Sequence, residues 1–61
     1  MKRLDLLLHL EAYGCKFLRE GGSHTVYINP LARKGSTVPR HREVDERLAR
    51  KICKDLDIPH P

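Results

Sequence analysis

The chain has 61 residues, with 12 Lys and Arg against 8 Asp and Glu, and a formal charge of +4. That length excludes a dinucleotide-binding fold, a barrel and a second domain, so residues 1–61 are expected to form one unit with a thin margin of stability. An apolar share of 39% and a charged share of 33% suit a soluble folded chain better than a disordered one.

Residues 3–13 predict a helix, because Leu6, Leu10 and Tyr13 recur at helical spacing. Gly14 is its expected stop. Leu4, Leu8 and Ala12 make a second apolar stripe on the same helix. A core helix needs one apolar face. The second stripe therefore either widens the core contact or covers a partner.

Residues 15–20 predict a first strand, with Cys15, Phe17 and Arg19 on one face and Lys16 and Leu18 on the other. Gly21-Gly22 supplies the turn, since glycine takes the positive φ that a tight hairpin needs. Residues 23–29 predict the second strand, rich in β-branched and aromatic side chains from Thr25 to Ile28. Asn29-Pro30 opens another turn that Lys34-Gly35 closes. Residues 36–38 make a short third strand, ended by Pro39.

Residues 44–56 predict a second helix, with Leu48, Ala49, Ile52, Cys53 and Leu56 on one face. Arg47, Arg50, Lys51 and Lys54 lie opposite, as a solvated face or a track for a phosphate backbone. Glu43, Asp45 and Glu46 crowd the start of this helix, as its dipole prefers. Pro59 and Pro61 end the ordered chain. The order helix, three antiparallel strands, helix implies an α+β two-layer fold. Both helices pack on one face of the sheet and the other face stays open.

The longest apolar run is residues 6–8, far short of the roughly 18 that a membrane span needs. Asp5 and His9 interrupt the leucines after the basic start, and no small-residue cleavage site follows. Cys15 and Cys53 are too few and too far apart for a small secreted scaffold. They read as reduced, buried thiols of a cytoplasmic protein, with a disulfide as the lesser alternative.

The positive charge is concentrated. Residues 21–42 hold Arg33, Lys34, Arg40 and Arg42 and no acid. Such a surface attracts polyanions, and nucleic acid is the usual one. His9, His24, His41 and His60 lack zinc spacing among themselves and with the cysteines, so no metal is expected. No Gly-x-Gly-x-x-Gly or Walker loop is present, so no nucleotide cofactor is implied.

His24 stands out because it follows Gly22-Ser23 near the start of a strand, just after a turn, where a side chain is held firmly yet remains reachable. Imidazole exchanges protons near neutral pH. Strand scission of RNA needs such a group, with cations to hold the phosphate. Lys34, Arg40 and His41 lie on the neighbouring loop and strand end. Ser23 has no acid partner for a triad, so its hydroxyl serves a hydrogen bond to the turn or to a phosphate. His9 reads as structural or exposed.

The run Gly22-Ser23-His24, after a helix ending in Gly14 and before Thr37-Val38-Pro39 and an amphipathic helix, resembles the HicA toxins of type II toxin–antitoxin systems. The opening Met-Lys-Arg-Leu-Asp-Leu-Leu and the closing Leu-Ala-Arg-Lys-Ile-Cys-Lys-Asp-Leu extend the likeness over nearly the whole chain. The resemblance implies a fold similar to the double-stranded RNA-binding domain. It also implies a metal-independent ribonuclease acting on messenger RNA, with His24 catalytic and a HicB antitoxin as partner. Gly22, Ser23, Lys34, Arg40 and His41 would then bind substrate. Leu4 and Leu8 would bind the partner. The rival reading is a small double-stranded-RNA-binding module without chemistry.

Overall fold

A computed structural model describes residues 1–61. The order is α1 (Arg3–Ala12), β1 (Lys16–Gly21), β2 (His24–Asn29), β3 (Lys34–Pro39) and α2 (Glu46–Asp55). The strands form one antiparallel sheet in the order β1-β2-β3. The α-β-β-β-α arrangement is the one expected, and it is consistent with a likeness to the double-stranded RNA-binding domain.

α1 begins without a side-chain cap. Lys2 instead pairs with Glu43 in an antiparallel bridge, and the Arg3 N–H donates to the Arg42 carbonyl at 2.8 Å. A helix's first N–H groups have no partner within the helix, and here the segment before α2 supplies one. Gly14 ends the helix at φ +87°. The Cys15 and Gly14 N–H groups close back on Leu10 and Glu11 at 3.0 Å each, the paired bonds of a Schellman stop. Tyr13 caps this end and is half exposed, so it is not part of the core stripe.

The β1–β2 turn is Gly22-Ser23, not Gly21-Gly22. Gly21 lies in β1 and pairs with His24, which leaves a two-residue loop whose first member, Gly22, has φ +53°. This is the II′ pattern, whose twist matches the strands. β1 also slips register between Phe17 and Arg19. Leu18 is the extra residue of a bulge, and a one-residue slip exchanges the faces. Phe17 therefore stands beside Tyr27 and Arg19 beside Val26, on opposite faces rather than together. β3 starts two residues early, at Lys34, because Lys34 and Gly35 pair with Asn29 and Ile28.

α2 starts at Glu46 rather than Val44. Asp45 is its cap, and its carboxylate accepts the Arg47 N–H at 2.7 Å. Val44 precedes the cap, and both it and Ala49 are buried in the core, the arrangement of a hydrophobic staple. The end of α2 repeats the Schellman geometry with Asp57 at φ +59° in the glycine position. Ile58 then packs on the core, and the Pro59 carbonyl accepts the His9 Nε2 proton at 2.7 Å. His9 is thus a structural tie that holds the chain beyond α2 against α1.

Leu6 and Leu10 of α1, Tyr27 and Val38 of the sheet, and Ala49, Ile52, Cys53 and Leu56 at α2 share one buried cluster. Leu48 is pushed to the rim and is over a third exposed. Asn29 is buried and donates to the Leu56 carbonyl at 2.7 Å, joining β2 to the end of α2. Asn29→Ala would orphan that carbonyl. The expected cost is about 1–3 kcal/mol, read as a lowered urea midpoint at unchanged slope.

Cys15 and Cys53 are free and buried. Burial pushes both thiols above their ordinary range, and for Cys53 the neighbouring Cys15 adds to it. Tyr27 is raised too, first by burial and then by its hydrogen bond to Glu11. In alkali the unfolded chain releases these protons while the folded chain keeps them. Stability therefore falls as pH climbs past about 8.5, the ordinary thiol value. Urea midpoints measured from pH 7 to 10 should decline, and a Cys15→Ala, Cys53→Ala chain should decline less.

Candidate functional site

His24 opens β2 and pairs with Gly21 on one side and Pro39 on the other. It is held in the middle strand while its ring stays exposed. Alternation along β2 buries Thr25, Tyr27 and Asn29 toward the helices and turns His24 to the open face. Its Nδ1 lies 3.4 Å from Ser23 Oγ, a long contact that orients the ring weakly. The other ring nitrogen has no protein partner.

A shallow cleft of about 450 Å³ surrounds the ring. It is lined by Gly22, Ser23, His24, Pro39, Arg40 and His41. Five of the expected site residues, Gly22, Ser23, His24, Arg40 and His41, thus meet in one place. Lys34 does not join them. It pairs with Asn29 at the far end of β3, five residues along the strand from Pro39, or about 16 Å at strand rise. The loop before β3 carries Lys34 away from the turn that carries His24.

Two residues that sequence reasoning passed over hold the cleft together. Arg3 donates from Nε to the Pro39 carbonyl at 3.0 Å and from its terminal nitrogen to Thr25 Oγ1 at 2.8 Å. Thr25 is the next residue after His24, so α1 pins both sides of the His24–Pro39 pair. The Thr25 hydroxyl in turn donates to Glu20 at 3.0 Å. Glu20 also accepts from Arg40 at 2.7 Å, so Arg40 enters the cleft already tethered to a carboxylate. Glu20 escapes a scan of residues 21–42 for acids, because the hairpin brings it beside Thr25 from outside that segment.

Leu4 and Leu8 are 66% and 57% exposed, whereas Leu6 and Leu10 are fully buried. Ala12 is exposed as well. The second stripe of α1 therefore does not widen the core contact. It lies open. The basic side of α2 is open too, and Lys51 pairs with Asp55 at 3.0 Å within it. No group of three or more His, Cys, Asp or Glu side chains comes together anywhere in the chain. No helix is long and apolar enough to cross a membrane.

The sequence matches the family model described as the HicA toxin of bacterial toxin–antitoxin systems over residues 5–58. No curated protein and no solved structure matches it. The matched region runs from the first turn of α1 past the end of α2 and contains the whole hairpin that carries His24. The chain belongs to the HicA toxin family of toxin–antitoxin systems.

Proposed function

We propose that this toxin is an endoribonuclease that cleaves messenger RNA in the cytoplasm without a metal ion, with His24 moving the proton. The observation that carries the reading is the exposed His24 ring in a cleft shared with Arg40 and His41. Scission of an RNA strand requires a proton to leave the attacking oxygen and another to reach the departing 5′-oxygen. An imidazole near neutral pH does either. Arg40 and His41 supply donors for the phosphate oxygens as their charge grows. Gly22 has open space where a side chain would stand, so the backbone beside His24 can approach the substrate. The cleft is built from imidazoles, a hydroxyl and a guanidinium. That set suits proton transfer and anion contact better than coordination of a hard cation.

The partner in this reading is a HicB-type antitoxin that covers the open stripe at Leu4 and Leu8. Two large exposed leucines one turn apart, on a helix already committed to the core by its other face, suit an apolar groove in a partner.

The test is incubation of purified protein with a labelled mixed-sequence RNA in EDTA, beside His24→Ala. Cleavage by the parent alone supports the reading. Cleavage only when a divalent ion is restored removes its metal-free part. Cleavage by neither, with RNA retained in a mobility shift, favours the non-catalytic RNA-binding module.

A further inference from the structure

We infer that Lys2 and Arg42 form a second phosphate subsite beside the His24 cleft, which takes a phosphodiester flanking the one that is cut. The inference rests on the reading of RNA as substrate. A depression of about 740 Å³ is lined by Lys2, Arg3, Leu4, Arg40, Arg42 and Glu43. Arg40 also lines the His24 cleft, so the two hollows share a wall. A strand that places one phosphate at His24 can run past Arg40 into the second hollow.

The floor of this hollow is rigid. The Lys2–Glu43 bridge, the Arg3 N–H bond to the Arg42 carbonyl at 2.8 Å and the Val44 N–H bond to the Met1 carbonyl at 2.7 Å stitch the two chain segments together. Lys2 and Arg42 project from these stitched segments, so the backbone that carries them is fixed before any ligand arrives.

The four bases of the hollow divide their duties. Arg3 is spent on Pro39 and Thr25. Arg40 is tethered to Glu20. Glu43 lies 3.5 Å from the amino group of Met1. Lys2 and Arg42 form no ion pair with any carboxylate, and both are exposed. Two unneutralised cations in a concave, polar site select an anion. A guanidinium beside an ammonium suits phosphate oxygens, the first by a paired donor fork and the second as a point charge. Leu4 is the single apolar lining residue, so the hollow offers a base little to stack on. It grips backbone and fixes register, which positions the neighbouring phosphate at His24.

The test measures RNA binding directly in the His24→Ala chain, so that cleavage plays no part. A short single-stranded RNA is titrated across a salt series. Lys2→Gln with Arg42→Gln should weaken binding about tenfold at low salt. It should also reduce the slope of log K against log salt by about 0.7, the share of one phosphate on a single strand. Glu43→Gln should tighten binding, an effect opposite in sign that a loss of folding cannot mimic. A neutral methylphosphonate at one flanking linkage should weaken binding to the His24→Ala chain and add nothing in the double variant.

Affinity and slope unchanged in the double variant overturn the subsite. Equal sensitivity of both chains to every methylphosphonate does the same, as does absence of RNA binding at any salt. Dependence on Lys2 and Arg42 in a parent that never cleaves RNA keeps the subsite and removes the ribonuclease reading. Cleavage by a parent whose binding ignores both residues does the reverse.

Discussion

Replacing His24 with alanine is expected to lower RNA cleavage by a factor of about 10²–10⁴, the range that one positioned acid or base contributes, and to leave the fold in place. The two halves of that expectation have separate causes. The ring is exposed, and its one hydrogen-bond partner is Ser23, at 3.4 Å. Its loss opens no cavity and breaks no strong bond, so the stability change should stay within about 0.5 kcal/mol. The contacts that hold this position are backbone pairs to Gly21 and Pro39, which alanine keeps. The chemistry cannot be passed to Ser23, which has no base beside it other than His24. His41 lines the same cleft, and His41→Ala should cost less if its part is to steady the phosphate. Initial rates on a labelled RNA, beside a thermal melt of each variant, separate the two halves. Cleavage by His24→Ala at the parent rate would remove His24 from the mechanism.

What the sequence revealed about this site was local, and what it hid was long-range. The hairpin that carries His24 is legible because turn chemistry lies in adjacent residues, although the turn falls one residue later than expected, at Gly22-Ser23. The stop at Gly14 was legible for the same reason. Lys34 was misplaced because its position depends on the full length of the β2–β3 ladder, over which it pairs with Asn29 while Pro39 pairs with His24. Proximity in sequence to other cations said nothing about that. The bulge at Leu18 had no signal in the residues around it, and it moved Arg19 to the face opposite Phe17. Arg3 was missed because its role exists only after α1 is laid across the ends of β2 and β3, and Glu20 because the hairpin has to form before it stands beside Thr25 and Arg40. A charged residue in the first turn of a helix reads as solvated until a carbonyl 36 residues away is placed against it. The fold class survived these misplacements because it rests on periodicity and on the need of both helices to bury one face against one sheet.

The two leucine stripes of α1 lead to the second large effect. Leu10→Ala and Leu8→Ala make the same chemical change two residues apart on one helix, yet their expected outcomes differ sharply. Leu10 is fully buried among the core side chains, so its truncation leaves a void. The cost is about 2–5 kcal/mol. A 61-residue chain at roughly 0.05–0.15 kcal/mol per residue has about 3–9 kcal/mol in all, so Leu10→Ala removes most of the margin. Leu8 is 57% exposed, and its truncation should shift stability by no more than about 0.5 kcal/mol. Urea unfolding of the isolated toxin measures both. On the antitoxin the order reverses. Leu8→Ala, still folded, should bind the partner at least about tenfold more weakly if Leu8 fills an apolar pocket there, a loss of about 1.4 kcal/mol. The physical reason is that a domain of this size has only one core to fill. A second stripe of leucines adds nothing to the isolated fold, and it becomes worth its exposure only against another surface. Leu8→Ala that unfolds the free toxin as readily as Leu10→Ala would place the stripe in the core and leave the antitoxin to find another face.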